Sequence, residues 1–491
     1  MRGFWKRIGA VLCALALCAP SAAALAEFSP RWEKLESGDV TLELGGSLES
    51  WSKVSKQSLE TVNEWLSGLK LILSTGKSLR AEAVMNGESL FSASVSRGDG
   101  YTLTTFAPSG NAYLTSPEGQ DALALLTGRD QPVPDVTRLP ALYAAAAPGL
   151  YAALADHAAP KTVKEPTSIK NASASASYVN YVFRDGKLNE AWEDVLNAVL
   201  PALKQALADN LSLYAAMEET LSSLVFSGEC RFKRFLDKEG GDMGMQFTGQ
   251  AARGKDKRKV TLFGGYTKDK GGYVSMTLAG VGSKDSLKGS LGFKLTSKNG
   301  LNTLETDGSY TKTKDKATVA YTVKGTLKNT VKEENEHWTG KMILTATENK
   351  VKTTWVLSPD LTFDSNGLEG DIQVQQKTGS KVTMKGSVHA ALTALKASTA
   401  PAAQSAKDLR PLSSAQARAA VAAELAPLAG AVARLASSLP EEERTLLLHE
   451  LRTDEWMNGP AVPAQNEAYG QEPNTPAIPE DGNWTVEEDE Q

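Results

Sequence analysis

Residues 287–295 read Leu287-Lys288-Gly289-Ser290-Leu291-Gly292-Phe293-Lys294-Leu295. Leu287, Gly289, Leu291, Phe293 and Leu295 fall on one side of a period-two alternation, and Lys288, Ser290, Gly292 and Lys294 on the other. Successive side chains of a strand point to opposite faces, so this stretch predicts a strand with one dry and one wet face. The same alternation returns further on. Ala317, Val319, Tyr321 and Val323 interleave with Lys316, Thr318, Ala320, Thr322 and Lys324. Trp338, Gly340, Met342, Leu344 and Ala346 interleave with Thr339, Lys341, Thr345 and Thr347. Val382, Met384, Gly386 and Val388 interleave with Lys381, Thr383, Lys385 and Ser387.

Turn-forming clusters separate these runs, among them Glu239-Gly240-Gly241-Asp242, Ser283-Lys284-Asp285 and Ser297-Lys298-Asn299-Gly300. Short turns join neighbours in sequence, which predicts an antiparallel meander of ten strands over 226–396. Gly289, Gly308, Gly325, Gly340 and Gly386 on the dry face predict bends or close approach by another element.

Working outward, 27–117 reads as one helix and a small meander. Val40 to Leu44 alternates as a first strand. Leu48, Trp51, Val54, Leu59, Val62, Leu66 and Leu69 recur every three to five residues, predicting a helix over much of 48–67. Short strand-like runs follow to Thr115, with Asn86-Gly87 and Asp99-Gly100 as hairpin turns that tolerate positive φ. The segment 118–225 is Ala-rich and predicted helical. Leu188, Trp192, Val195, Val199, Leu203 and Leu207 make one apolar stripe there, with Pro201 as a kink. The segment 397–459 carries C-terminal helices, one of them weakened by Pro427 and Gly430 and a second begun by Pro440 and Glu441-Glu442-Glu443. The Pro-rich, acidic 460–491 predicts a disordered tail. The fold class expected is therefore α+β: a large antiparallel meander, a curved sheet or half-barrel, packed by amphipathic helices, beside a smaller N-terminal helix-plus-meander part.

Residues 1–26 read as a secretory signal peptide. Arg2, Lys6 and Arg7 form the charged start, Ile8 to Cys18 the apolar run, and Ala24-Leu25-Ala26 a small-x-small cleavage site. An uncleaved anchor is the alternative. A lipoprotein reading would acylate Cys18, but Leu17 stands where such signals carry a small residue. No other stretch reads as the roughly 18 apolar residues of a spanning helix. Removal of 1–26 leaves Cys230 as the one cysteine, read as a buried thiol acting as a small hydrophobe. Localisation is expected to be secreted or extracytoplasmic, in a bacterial envelope.

The 491 residues carry a formal net charge of −5. The even total hides a segregation: 226–396 is +10, and 460–491 holds eight acids and no Lys or Arg. Lysines on the wet face block edge-to-edge aggregation. They would equally meet an anionic cell-wall polymer. Export, and aromatics that mostly alternate onto the dry face, argue against nucleic acid.

Ten one-faced strands expose apolar surface that water will not tolerate. Covering about 1,000 Å2 of it is worth about 25 kcal/mol. The sheet can curl around its own helices, curl around a greasy ligand, or close dry face outward in a bilayer. The third course conflicts with long helical segments and with only 7% aromatic residues. A curved sheet holding helices is similar, in shape alone, to the half-barrel lipoprotein carriers of bacterial envelopes.

No catalytic constellation is legible. His157, His337, His389 and His449 lie in unrelated contexts, with no HExxH, nucleophile elbow or phosphate loop. The expectation is no enzyme: no catalytic, cofactor-binding or metal-binding residue is assigned, and no cofactor. Two functions fit. The first is an exported envelope or secreted protein binding a lipid or other hydrophobic ligand between curved sheet and helices, with membrane contact at most peripheral. The second is a cell-surface structural or interaction protein holding an anionic polymer on its basic sheet.

Overall fold

The computed structural model describes residues 29, 40–75, 79–98, 100–117, 121–122, 125, 139–171, 174–208, 211–267, 271–314, 317–332, 335–348, 350–365, 367–394 and 406–451. The expected signal peptide of 1–26 and the expected disordered tail of 460–491 lie outside them.

The chain begins with β1 (Val40–Trp51), α1 (Lys56–Gly68), β2 (Leu69–Thr75), β3 (Leu79–Met85), β4 (Glu88–Gly98), β5 (Tyr101–Ala107) and β6 (Ala112–Thr115). Then come α2 (Leu139–His157), β7 (Lys161–Val163), β8 (Ser177–Phe183), α3 (Lys187–Ala206) and α4 (Leu211–Ser222). The long strands follow: β9 (Val225–Leu236), β10 (Asp242–Arg253), β11 (Asp256–Thr267), β12 (Gly271–Gly280), β13 (Ser286–Lys298) and β14 (Leu301–Lys314). They continue as β15 (Ala317–Lys332), β16 (Asn335–Glu348), β17 (Val351–Phe363), β18 (Gly367–Thr378) and β19 (Lys381–Ala394). The chain closes with β20 (Ala406–Asp408), α5 (Ser414–Val421), a 3-10 turn (Ala422–Leu425), α6 (Ala426–Ser437) and α7 (Glu441–Leu451).

All twenty strands belong to one unclosed sheet. Each long strand from β8 to β19 pairs antiparallel with the next in sequence. The pairing then returns to the start of the chain: β1 lies between β19 and β2. The N-terminal meander β2–β6 thus continues the large one, and β20 adds to β6 as a parallel edge. Two-residue turns with both φ positive, Asn86-Gly87 and Asn299-Gly300, close β3–β4 and β13–β14 and set their registers.

The alternation expected from sequence is observed along most of these strands; in β19 a bulge opposite Gln376 and Lys377 reverses it, turning Val382 to the wet face with Lys377, and Lys381 to the dry one. Leu295, Leu304, Leu327 and Gly340 share one row across β13–β16 on the apolar face. A Cβ on Gly340 would collide with the Thr326 carbonyl oxygen and crowd Leu327, so this glycine marks close approach of the neighbouring strand.

Four expectations are corrected. The 226–396 block holds eleven strands, not ten: the break between Lys332 and Asn335 has no Gly or Pro to announce it. Leu48 and Trp51 are on β1, not a helix; a bulge between Leu48 and Ser50 puts residues three apart on one face of a strand. The Ala-rich 118–225 contains β8, whose Val179, Tyr181 and Phe183 pair with Arg234, Phe232 and Cys230 of β9. The 416–437 helical stretch is long and apolar enough to cross a membrane by length and composition alone, which the sequence reading had not flagged. It buries Val421, Leu425, Val432 and Leu435.

Helices cover the apolar face at three places. α2, α3 and α4 form one core with β8–β10 around Leu154, Leu188, Val195, Phe183 and Phe232. α5 and the 3-10 turn pack on β3–β6 through Val421, Phe91, Phe106 and Tyr113. α1, α6 and α7 join around Val62, Leu435 and Leu447. Glu424 fastens the C-terminal helices to the meander, accepting from Ser109 Oγ at 2.5 Å, Asn111 Nδ2 at 2.8 Å and Tyr113 Oη at 2.7 Å. Burial, then Glu424 itself, raises the Tyr113 phenol above its usual range.

Candidate functional site

A further core, among the described residues, is made of strand residues alone, from β13 to β19 with β1 beside it. Its middle is fully buried at Leu304, Met342 and Leu357. Followed along the strands, this apolar face has two different ends.

At one end it is shut. Glu336, on the same face as Trp338, is 1% exposed. Its Oε2 accepts from Ser29 Oγ at 2.5 Å, Asn329 Nδ2 at 2.9 Å and Trp338 Nε1 at 3.1 Å. Ser29 is itself buried. Three donors meet the desolvation cost of a carboxylate placed among apolar rings. Trp338 packs edge-on against Phe363 with centroids 6.2 Å apart.

At the other end it is open. The register carries Tyr310 to Tyr321 to Ala346 to Thr353 across β14–β17. One row inward run Val323, Leu344, Trp355, Gln376 and Met384, reaching Trp51 of β1. Tyr310 is 38% exposed, Tyr321 40% and Val351 56%. The charged groups at this mouth are Lys312 opposite Leu287, Lys314 opposite Ala317, Lys381 opposite Thr378 and Glu348 opposite Val351. Tyr321 donates its hydroxyl to Glu348 Oε1 at 2.6 Å. Partial burial, then this bond and the carboxylate charge, push the phenol up to about 12. An apolar surface with an aromatic rim and lysines and one glutamate beyond it suits an acyl chain with its polar head at the mouth.

The histidines do not converge. His157 meets Asp194 at 2.7 Å. His337 meets Asp360 at 2.6 Å, and His389 meets Asp371 at 3.3 Å and Glu369 at 3.5 Å, all on the outer face of β16–β19. His449 lies in α7. His337 and Trp338 point to opposite faces and Trp355 lies further along its strand, so these three form no common site. No group of three or more His, Cys, Asp or Glu among the described residues is arranged to hold a metal ion. Cys230 is buried under α3, and burial raises its thiol.

Sequence reasoning missed Glu336 and Ser29. A signal existed: Glu336 has the parity of Trp338 and Met342, so a carboxylate was due on the dry face. It also missed Tyr321–Glu348, which depends on neighbouring strands being in register.

No family model and no curated protein matches this chain. Among solved structures, it is matched by OmpTdeltaL8, a loop L8 deletion mutant of OmpT, an outer membrane protein of Vibrio cholerae. The identity is 10%, over 72% of this chain and 97% of that one, with a TM-score of 0.22. Likeness at that level carries no argument about mechanism. The expectation of no enzyme is nonetheless corrected at this comparison. It rested on motifs absent from the sequence, while the matched chain is known by its membrane location, and the exclusion of catalysis is given up with no activity put in its place.

Proposed function

We propose that this is a bacterial envelope protein whose strand-only apolar face forms a half-barrel trough for the acyl part of an amphiphile. The observation that carries the reading is the gradient along β14–β17. On the same face, side chains pass along the strands from full burial at Leu304, Met342 and Leu357 to substantial exposure at Tyr310, Tyr321 and Val351. The charged start, apolar run and Ala24-Leu25-Ala26 of the first 26 residues support export. The shut end, held by Glu336, makes the trough blind, so a chain enters from the Tyr321 side and stops.

Lipid extraction and native mass spectrometry of the full chain test this. The expected result is a bound amphiphile, lost in Leu344→Gln with an unchanged melting transition. N-phenyl-1-naphthylamine should brighten with the wild type and not with that variant. A wild type free of lipid that leaves the probe dark would end the proposal.

A further inference from the structure

The trough makes no use of the sheet's other face. There the register aligns side chains into rows running across the strands. Ser275, Ser290, Ser309, Thr322, Thr345 and Thr354 form one such row, a residue from each of β12–β17, ending at Lys377 of β18. The row beside it contains Thr261, Thr277, Thr311 and Thr347, with Lys288 and Lys352 among them. Neither row holds a carboxylate from β10 to β17. The acids of this face begin one row further, at Asp307, and continue to Asp360, Asp371 and Glu369 at the far ends of the strands. The carboxylates and histidines of this stretch therefore lie toward one end of the strands, together with further lysines, and the two hydroxyl rows at the other end carry lysines without acids.

The hydroxyls hold one another in place. Ser290 and Ser309 Oγ are 2.9 Å apart, and Thr345 and Thr354 Oγ1 are 3.3 Å apart. At the β9 end the strip deepens into a cleft of about 290 Å3 lined by Arg231, Thr248, Gln250, Lys259 and Thr261, with Glu229 at its side. It forms where a bulge in β9 sets Arg231 opposite Thr248 but Ser227 opposite Gln250. Arg231 donates to Glu229 at 2.8 Å, and its solvent-shielded Nε has no hydrogen-bond partner among the described residues.

We propose that this strip is a docking surface for an extended anionic polysaccharide laid across the strands. The hydroxyls repeat at the strand spacing of about 4.8 Å, close to the rise per sugar of an extended glycan. Each sugar would then meet one fixed hydroxyl that both donates and accepts. Acidic groups on the polymer would pair with Lys288, Lys352 and Lys377 as point charges and with Arg231 in the cleft. Charge complementarity favours the polyanion, because 226–396 carries a net +10 and neither hydroxyl row holds an acid between β10 and β17. The proposal is independent of the trough.

The test is co-sedimentation of the full chain with sodium polygalacturonate, with neutral dextran as comparison, at low and moderate salt. Polygalacturonate should bind and dextran should not, and salt should weaken binding. The triple variant Lys288→Ala, Lys352→Ala, Lys377→Ala should weaken it by about tenfold. Removing the same charge from the carboxylate-bearing rows, by Lys324→Ala, Lys328→Ala and Lys341→Ala, should cost under about threefold. Thr322→Val with Thr345→Val, near-isosteric and β-favouring, should weaken binding without lowering the melting point. Equal losses from the two lysine triples, equal binding to dextran, or capture by phosphatidylglycerol vesicles but not polygalacturonate would each overturn it.

Discussion

The side chain of Asn63 grips the backbone of Leu48 from both sides: Oδ1 accepts the Leu48 amide at 2.7 Å, and Nδ2 donates to the Leu48 carbonyl at 2.7 Å. β2 pairs with β1 only between Val40 and Leu44, so beyond Leu44 this edge of β1 has no strand beside it. The amide on α1 supplies the missing donor and acceptor. Asn189 on α3 does the same for Phe226, at 2.7 and 2.8 Å, where β8 has stopped opposite Cys230. Asn63→Ala and Asn189→Ala should each destabilise by about 1–2 kcal/mol, since both leave half-buried backbone groups without their partners. A urea midpoint that falls at constant m would show it; an unmoved midpoint would refute it.

Glu336 is the acceptor shared by three donors at the shut end. Glu336→Ala should cost about 2–3 kcal/mol, and Ser29→Ala about 1 kcal/mol. Ser29 lies 307 residues away in sequence, so the second value reports directly on whether Ser29 is seated against Glu336. If Ser29→Ala leaves stability untouched while Glu336→Ala lowers it, the seat is not held by this hydrogen bond.

Burial raises the Cys230 thiol, so the reactive thiolate is scarcer in the fold than in the unfolded chain. The sign follows: stability from this group is complete below the ordinary thiol range and declines as pH rises through the raised value. Iodoacetamide at pH 8 should label native Cys230 slowly and urea-unfolded chain fast. Rapid native labelling would show that α3 does not seal this part of the sheet.

Tyr321 offers a second pH test. Its phenol is pushed up to about 12, first by burial and then by Glu348. Below the ordinary phenol range both folded and unfolded forms keep the proton, and nothing changes. As pH rises from there, the unfolded chain ionises first and the folded state loses ground. In an absorbance titration, the difference between wild type and Tyr321→Phe should place this phenol near pH 12, and Glu348→Gln should bring it down. An ordinary phenol titration in the wild type would mean the mouth is fully wet.

Local rules made the long strands legible. Alternation from Leu287 to Leu295 and the Asn299-Gly300 turn are short-range signals, and both hold. The return of β1 to β19 could not be read, because no local rule pairs residue 40 with residue 394. Leu48 and Trp51 misled for a definite reason: a bulged strand reproduces helical spacing. The trough was expected as a need for cover, yet its two ends were not distinguishable. Leu304 and Tyr321 sit on the same dry face, and only tertiary placement buries one and leaves the other open.

Photocrosslinking with a diazirine-bearing fatty acid, followed by peptide mass spectrometry of the full chain, tests the trough most directly. The account predicts adducts at the open end, on Tyr310, Tyr321, Leu344 and Trp355, and their loss when unlabelled fatty acid competes. Adducts confined to the helices or the outer face, or none that unlabelled fatty acid removes, would contradict it.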